Sequence, residues 1–108
     1  MRNYIQIQTT FESKADAEKI AAAMLDAGLV ACGQISEIES RYNWDGKRCK
    51  GKEFLLKMKT RAALYGECEK FIKTKHPYKC PQIIAIEIAF ISNDYAAWIG
   101  ENTKGSKE

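Results

Sequence analysis

Apolar and polar residues alternate from Tyr4 to Thr10 around Ile5 and Ile7, the period-two signature of a strand. The period then lengthens, with Ala17, Ile20, Ala21, Met24 and Leu25 at helical spacing. Ser13 precedes this run with Asp16 three residues on, a variant of the capping box. Gly28 stands where a C′ glycine ends a helix, with Leu29 as its apolar partner. Val30 to Trp44 reads as a long strand, and Asp45-Gly46 is a strong hairpin signal. The return strand carries Phe54, Leu56 and Met58 on one face and Lys57 and Lys59 on the other. A plain two-residue turn sets apolar Ile38 opposite charged Glu53, so a bulge or longer turn that shifts the register by one is expected.

Thr60 is expected to cap a second helix with Leu64, Cys68, Phe71 and Ile72 inward, ending before Pro77. The nearly continuous apolar run from Ile83 to Ile91, broken by Glu87, reads as a central strand buried on both faces. Asn93 or Asp94 is expected to cap a last short helix with Tyr95, Trp98 and Ile99 inward. The order β-α-β-β-α-β plus a terminal helix predicts an α+β, ferredoxin-like sandwich with two crossovers over one antiparallel sheet. One domain is expected over residues 1–103, followed by a polar C-terminal tail at 104–108.

The hairpin does not suit a monomer. Its arms of about 14 residues span ~46 Å, longer than a compact domain of this size is wide. The outer half must project, with Tyr42 and Trp44 exposed and strand edges unpaired. Pairing with further copies of the chain, with Tyr42 and Trp44 at the interface, solves both problems. The alternative is a strongly coiled hairpin that folds back on its own sheet.

Composition narrows the function. The 108 residues carry a net charge of +3 and are 45% hydrophobic, which suits one globular domain. This charge is too mild to argue for nucleic acid. The basic run Lys47-Arg48-Cys49-Lys50-Gly51-Lys52 reads as a solvated hairpin tip. No secretory signal and no apolar run of ~20 residues is evident, so neither a membrane partner nor export is expected and a cytoplasmic protein is the default. Cys32, Cys49, Cys68 and Cys80 are then reduced thiols, and none forms a CxxC pair.

Candidate chemistry concentrates in His76-Pro77-Tyr78-Lys79-Cys80-Pro81, which holds the only histidine and both prolines. Each proline pushes the residue before it out of the α region, so His76 and Cys80 flank a rigid turn. Imidazole and thiol are both ligands for soft metals. Cys32 is the further candidate thiol, set against its plainer reading as a small buried hydrophobe. For His76 the plainer reading is a helix-ending turn residue. Cys68 falls on the inner helical stripe and reads as core, and Cys49 has basic neighbours that favour a reactive thiolate.

The blocks Leu29-Val30-Ala31-Cys32, Tyr42-Asn43-Trp44-Asp45-Gly46-Lys47, Lys59-Thr60, His76-Pro77-Tyr78, Pro81, Ile83-Ile84 and Tyr95 with Trp98 occur in this order. Together they resemble the CutA divalent-cation tolerance family, from residue 4 to about 103. The resemblance implies small cytoplasmic proteins of PII-like fold that form tight homotrimers, with hairpins reaching onto neighbouring subunits. It implies tolerance to copper and other divalent metals, copper binding and no catalytic reaction. The family's metal-associated positions map onto Cys32 and His76. The chain departs from the family at Lys79-Cys80-Pro81-Gln82, where a carboxylate gives way to neutral Gln82 and a thiol, Cys80, replaces an aliphatic residue. Gln34 likewise stands where the family has asparagine. Two sulfurs and an imidazole favour Cu(I) over Mg²⁺ or Ca²⁺.

The leading expectation is therefore a non-enzymatic, homotrimeric, copper-binding tolerance protein with metal ligands Cys32, His76 and Cys80. A PII-like sensor of small molecules without a physiological metal is the alternative. An RNA-binding module with the same element order needs an aromatic after Gly51, where Lys52 stands. A Cys–His hydrolase built on Cys32 and His76 lacks a third, orienting residue.

Overall fold

The computed structural model describes residues 3–105. In chain order it contains β1 (Tyr4–Phe11), α1 (Lys14–Asp26), β2 (Cys32–Trp44), β3 (Lys47–Arg61), α2 (Tyr65–Lys75, entered through a 3-10 turn at Ala62–Leu64), β4 (Ile84–Glu87) and α3 (Asn93–Glu101). The strands form one antiparallel sheet in the order β2-β3-β1-β4.

Local chemistry sets both ends of α1. The Ser13 hydroxyl accepts from the Asp16 N–H at 3.1 Å. Gly28 takes φ +71°, its N–H reaches the Leu25 carbonyl, and the Leu29 N–H reaches the Met24 carbonyl. That pair of bonds is the Schellman motif expected of glycine followed by an apolar residue. Paired strand residues share a face, so Ile5, Ile7, Thr9 and Phe11 of β1 point the same way as Phe54, Leu56, Met58 and Thr60 of β3. On that side the core closes against Ala17, Ile20, Ala21 and Met24 of α1 and Cys68 and Ile72 of α2. α1 comes close to β2 at Gly33, where a Cβ would stand 3.4 Å from the Ala21 Cβ and the Leu56 Cδ1.

The other face carries Gln6, Gln8, Lys57, Lys59, Cys32 and Gln34, with Ile84 and Ile86 of β4. Among the described residues α3 reaches it, through Tyr95 to Cys32 and through Thr103, just beyond the helix, to Arg61. Lys104 then docks by its N–H on the Gly28 carbonyl, and its ammonium meets Glu67.

The hairpin projects rather than folding back. The molecule measures 47 × 26 × 21 Å, with a radius of gyration of 14.6 Å, against roughly 13 Å for a compact chain of this length. Four sequence expectations need correction. First, the register is unshifted: Trp44 pairs with Lys47 and Ile38 with Glu53, without a bulge. Asp45 and Gly46 both take positive φ, 53° and 75°, the left-handed pair whose twist suits a two-residue turn. The Ile38–Glu53 pair lies beyond the last β1 rung, Phe11 with Phe54, where no core demands strict alternation. Second, Thr60 caps nothing. It lies buried in β3 and donates to the Leu29 carbonyl at 2.6 Å, and α2 begins without a side-chain cap.

Third, the apolar run from Ile83 to Ile91 yields only a four-residue strand at the sheet edge, with Ile84, Ile86 and Phe90 exposed. α1 and α2 cover a single face, so a run that suits two covered faces has one left open. Fourth, Ser92 rather than Asn93 or Asp94 caps α3. Its hydroxyl accepts from the Tyr95 N–H at 3.2 Å. Of the three residues expected inward on α3, Ile99 is buried, whereas Tyr95 and Trp98 remain partly exposed.

Candidate functional site

α2 ends at His76, whose N–H still bonds to the Ile72 carbonyl at 2.8 Å while ψ swings to 136°. Pro77 forces that extended value. The imidazole stacks on Phe11, with centroids 4.3 Å apart and planes 11° from parallel. Its Nδ1 accepts from the Tyr78 N–H at 3.1 Å. The proton therefore sits on Nε2, which donates to the Thr10 carbonyl at 2.9 Å and lies 3.1 Å from the Thr9 hydroxyl. Burial holds the ring below its ordinary pKa, opposed by the Thr10 carbonyl and by the charges of Asp16 and Glu53. Tyr78 is anchored at its other end, its Oη donating to Glu53 Oε2 at 2.7 Å. Burial first, then this carboxylate, raise the phenol pKa. Cys80 is exposed, in the turn that follows.

Cys32 opens β2, and its Sγ lies 3.5 Å from the Tyr95 Oη. Tyr95 stacks on Trp98 with centroids 5.5 Å apart. The hydrogen bond to Cys32, then burial, push the Tyr95 phenol up to about 12. Lys59, opposite Cys32 on β3, bonds through its ammonium to Gln34 Oε1.

The fold does not bring Cys32 and His76 together within one chain. His76 packs on Phe11, on the helix-covered face, whereas Cys32 shares the opposite face with Lys59. Phe11 is level with Phe54 and hence with Glu37, five residues along β2 from Cys32. At 3.3 Å per residue that is ~16 Å. Among the described residues no three His, Cys, Asp or Glu side chains converge as a metal site. In kind, the donors suit a soft cation: two thiols outside the core and one imidazole. In place, His76 and Cys80 share one turn, and a Cys32 ligand would have to come from another copy.

The remaining thiols behave differently from each other. Cys68 is buried and donates to the Leu29 carbonyl at 3.5 Å, and burial pushes its pKa up to about 12. It is core, as its helical spacing indicated. Cys49 is half-buried on the hairpin, with only a 4.0 Å contact to the Lys47 carbonyl. Tyr42 and Trp44 are 47% and 56% exposed at the hairpin tip. Sequence reasoning gave neither Glu53 nor the Tyr78 side chain a role here and set Tyr95 only as an inward-facing helix residue. The one signal for Glu53 was its mismatch with Ile38.

Residues 5–102 match the family model for the CutA1 divalent ion tolerance protein. The chain is 38% identical over 100 residues to the divalent-cation tolerance protein CutA of Pyrococcus horikoshii, covering 93% of this chain and 98% of that one. The crystal structure of CutA1 from the psychrotrophic Shewanella sp. SIB1 superposes with a TM-score of 0.92 at 33% identity, over 96% of this chain and 98% of the other. The Archaeoglobus fulgidus protein, described as a periplasmic divalent cation tolerance protein, gives 0.90 at 34% identity, over 92% and 97%. The fold, the ordered sequence blocks and these matches agree, and the chain belongs to the CutA1 divalent ion tolerance protein family.

Proposed function

We propose that this protein is a homotrimeric, ferredoxin-like, PII-like divalent-cation tolerance protein that binds copper as Cu(I) and catalyses no reaction. The family match over residues 5–102 carries the tolerance reading. The preference for a soft ion follows from this chain's own donors, since Cys32 and Cys80 lie outside the core and Gln82 leaves the turn without a carboxylate. His76 and Cys80 form the local pair, with Cys32 contributed across subunits. The trimer accounts for the 47 Å long axis, the exposed Tyr42 and Trp44, and the open sheet face with Ile84 and Ile86. The non-enzymatic reading is supported by Cys32 and His76 lying on opposite faces, which denies one chain a nucleophile–base pair. No helix among the described residues is long and apolar enough to cross a membrane, and four free thiols suit a reducing compartment such as the cytoplasm.

Competition titration of Cu(I) against a chromogenic chelator, under reducing conditions, tests this reading. Cys32→Ser, His76→Ala and Cys80→Ser should each bind more weakly than wild type. Equal stoichiometry and affinity in all four proteins would remove the site.

A further inference from the structure

The two ends of α3 are held in different ways. Ile99 is its one buried residue. Beyond it, the Thr103 hydroxyl donates to the Ile99 carbonyl at 3.0 Å and accepts from Arg61 Nε at 3.0 Å. The Arg61 guanidinium also donates to the Lys104 carbonyl, and the Lys104 N–H docks on the Gly28 carbonyl at 2.8 Å. The fit there is close, since a Cβ on Gly28 would stand 3.3 Å from the Lys104 Cβ. Thr103 is accordingly only 6% exposed.

The other end is lightly held. About two turns of helix separate Tyr95 from Thr103. The Tyr95 Oη lies 3.5 Å from the half-buried Cys32 Sγ, and the Trp98 indole stacks behind the phenol. Both rings stay more than a third exposed. A polar tie at residues 99–104 and a single thiol–phenol contact at Tyr95 thus fix one short helix over the first residue of β2.

We propose that α3 is a hinged lid on the Cys32 thiol, pivoting at residues 99–104 and caught by Tyr95. Closed, the phenol covers Sγ with the indole behind it. Opening breaks one hydrogen bond at the catch and leaves the tie in place, so it costs far less than unfolding the chain. The lid acts with or without a metal, because it governs whether any dissolved electrophile or oxidant reaches the sulfur. Arg61 and Thr103 are positioning residues, which act on Cys32 through the helix and do not bond to it.

Pulsed alkylation of the full, reduced chain with iodoacetamide, read by peptide mass spectrometry, follows each thiol separately. In wild type, Cys32 should react more slowly than exposed Cys80. Tyr95→Phe releases the catch and Thr103→Val weakens the tie. Each should speed alkylation of Cys32 about fivefold, the factor that goes with one net hydrogen bond. Arg61→Met, a change outside the helix, should reproduce Thr103→Val. Cys68 is buried in the core, so it reports unfolding of the whole chain, and its rate should stay the same throughout. Cys32 reacting as fast as Cys80 in wild type would mean that no lid shields it. A response to Tyr95→Phe with none to Thr103→Val or Arg61→Met would reduce the contact to a local one and remove the hinge. A rise shared equally by Cys32 and Cys68 in both tie variants would make the opening global and also overturn the lid.

Discussion

The Tyr78 hydroxyl donates to the Glu53 carboxylate across 2.7 Å, joining the Pro-bounded turn after α2 to β3 where the hairpin leaves the sheet. Removing that hydroxyl isolates the contact. Hydrogen bonds to charged groups contribute about 1.5–3 kcal/mol, and this pair is only half-buried. Tyr78→Phe should therefore destabilise the protein by about 1–2 kcal/mol, read as a lower urea midpoint with unchanged slope. An unchanged midpoint would mean that the bond contributes nothing in solution.

His76 is the only histidine, which makes its titration separable. Burial lowers its folded-state pKa below the ordinary value of 6.5, so the unfolded chain binds the proton more readily. Its contribution to stability is full above pH 6.5 and declines as pH falls from there toward the folded-state value. Chemical denaturation between pH 7.5 and 5 should show this decline, and His76→Gln should flatten it. A wild-type profile that is flat or rises toward acid over that window would contradict the buried neutral ring.

Thr60→Val tests where Thr60 acts. The hydroxyl donates to the buried Leu29 carbonyl at 2.6 Å, so its loss should cost about 1 kcal/mol. Helix content by circular dichroism should not change, because α2 starts without Thr60. A selective loss of helix would restore its role as a cap.

Trp44 is 56% exposed in the single chain, where its truncation would cost little. Buried between subunits it should behave as a core aromatic, with Trp44→Ala costing ~3–5 kcal/mol per subunit. Differential scanning calorimetry at several protein concentrations should then show a lowered, concentration-dependent melting temperature. Melting that matches wild type at every concentration would leave Trp44 outside any interface.

The legible parts of this fold were those with local causes. α1 carried both its caps in sequence, and hairpin length followed from counting residues between Val30 and Thr60. The register failed because alternation was applied at Ile38 and Glu53, beyond the helix-covered sheet, where the Asp45-Gly46 turn alone decides pairing. The apolar run around Ile84 and Ile86 signalled burial without identifying what buries it, and the single chain leaves that face open. For the site, proline placement located His76 and its extended backbone. The separation of Cys32 from His76 depended on strand parity and on the rung each occupies. The Tyr78–Glu53 contact joins residues 25 positions apart and left only an apparent pairing error as its trace.

Native mass spectrometry of the reduced protein, titrated with Cu(I), tests the proposed copper-binding trimer most directly. The account predicts three 12.2 kDa chains in one complex that takes up copper, with uptake reduced in both Cys80→Ser and Cys32→Ser. A stable monomer or dimer at micromolar concentration, or a trimer whose copper load ignores both thiols, would contradict it.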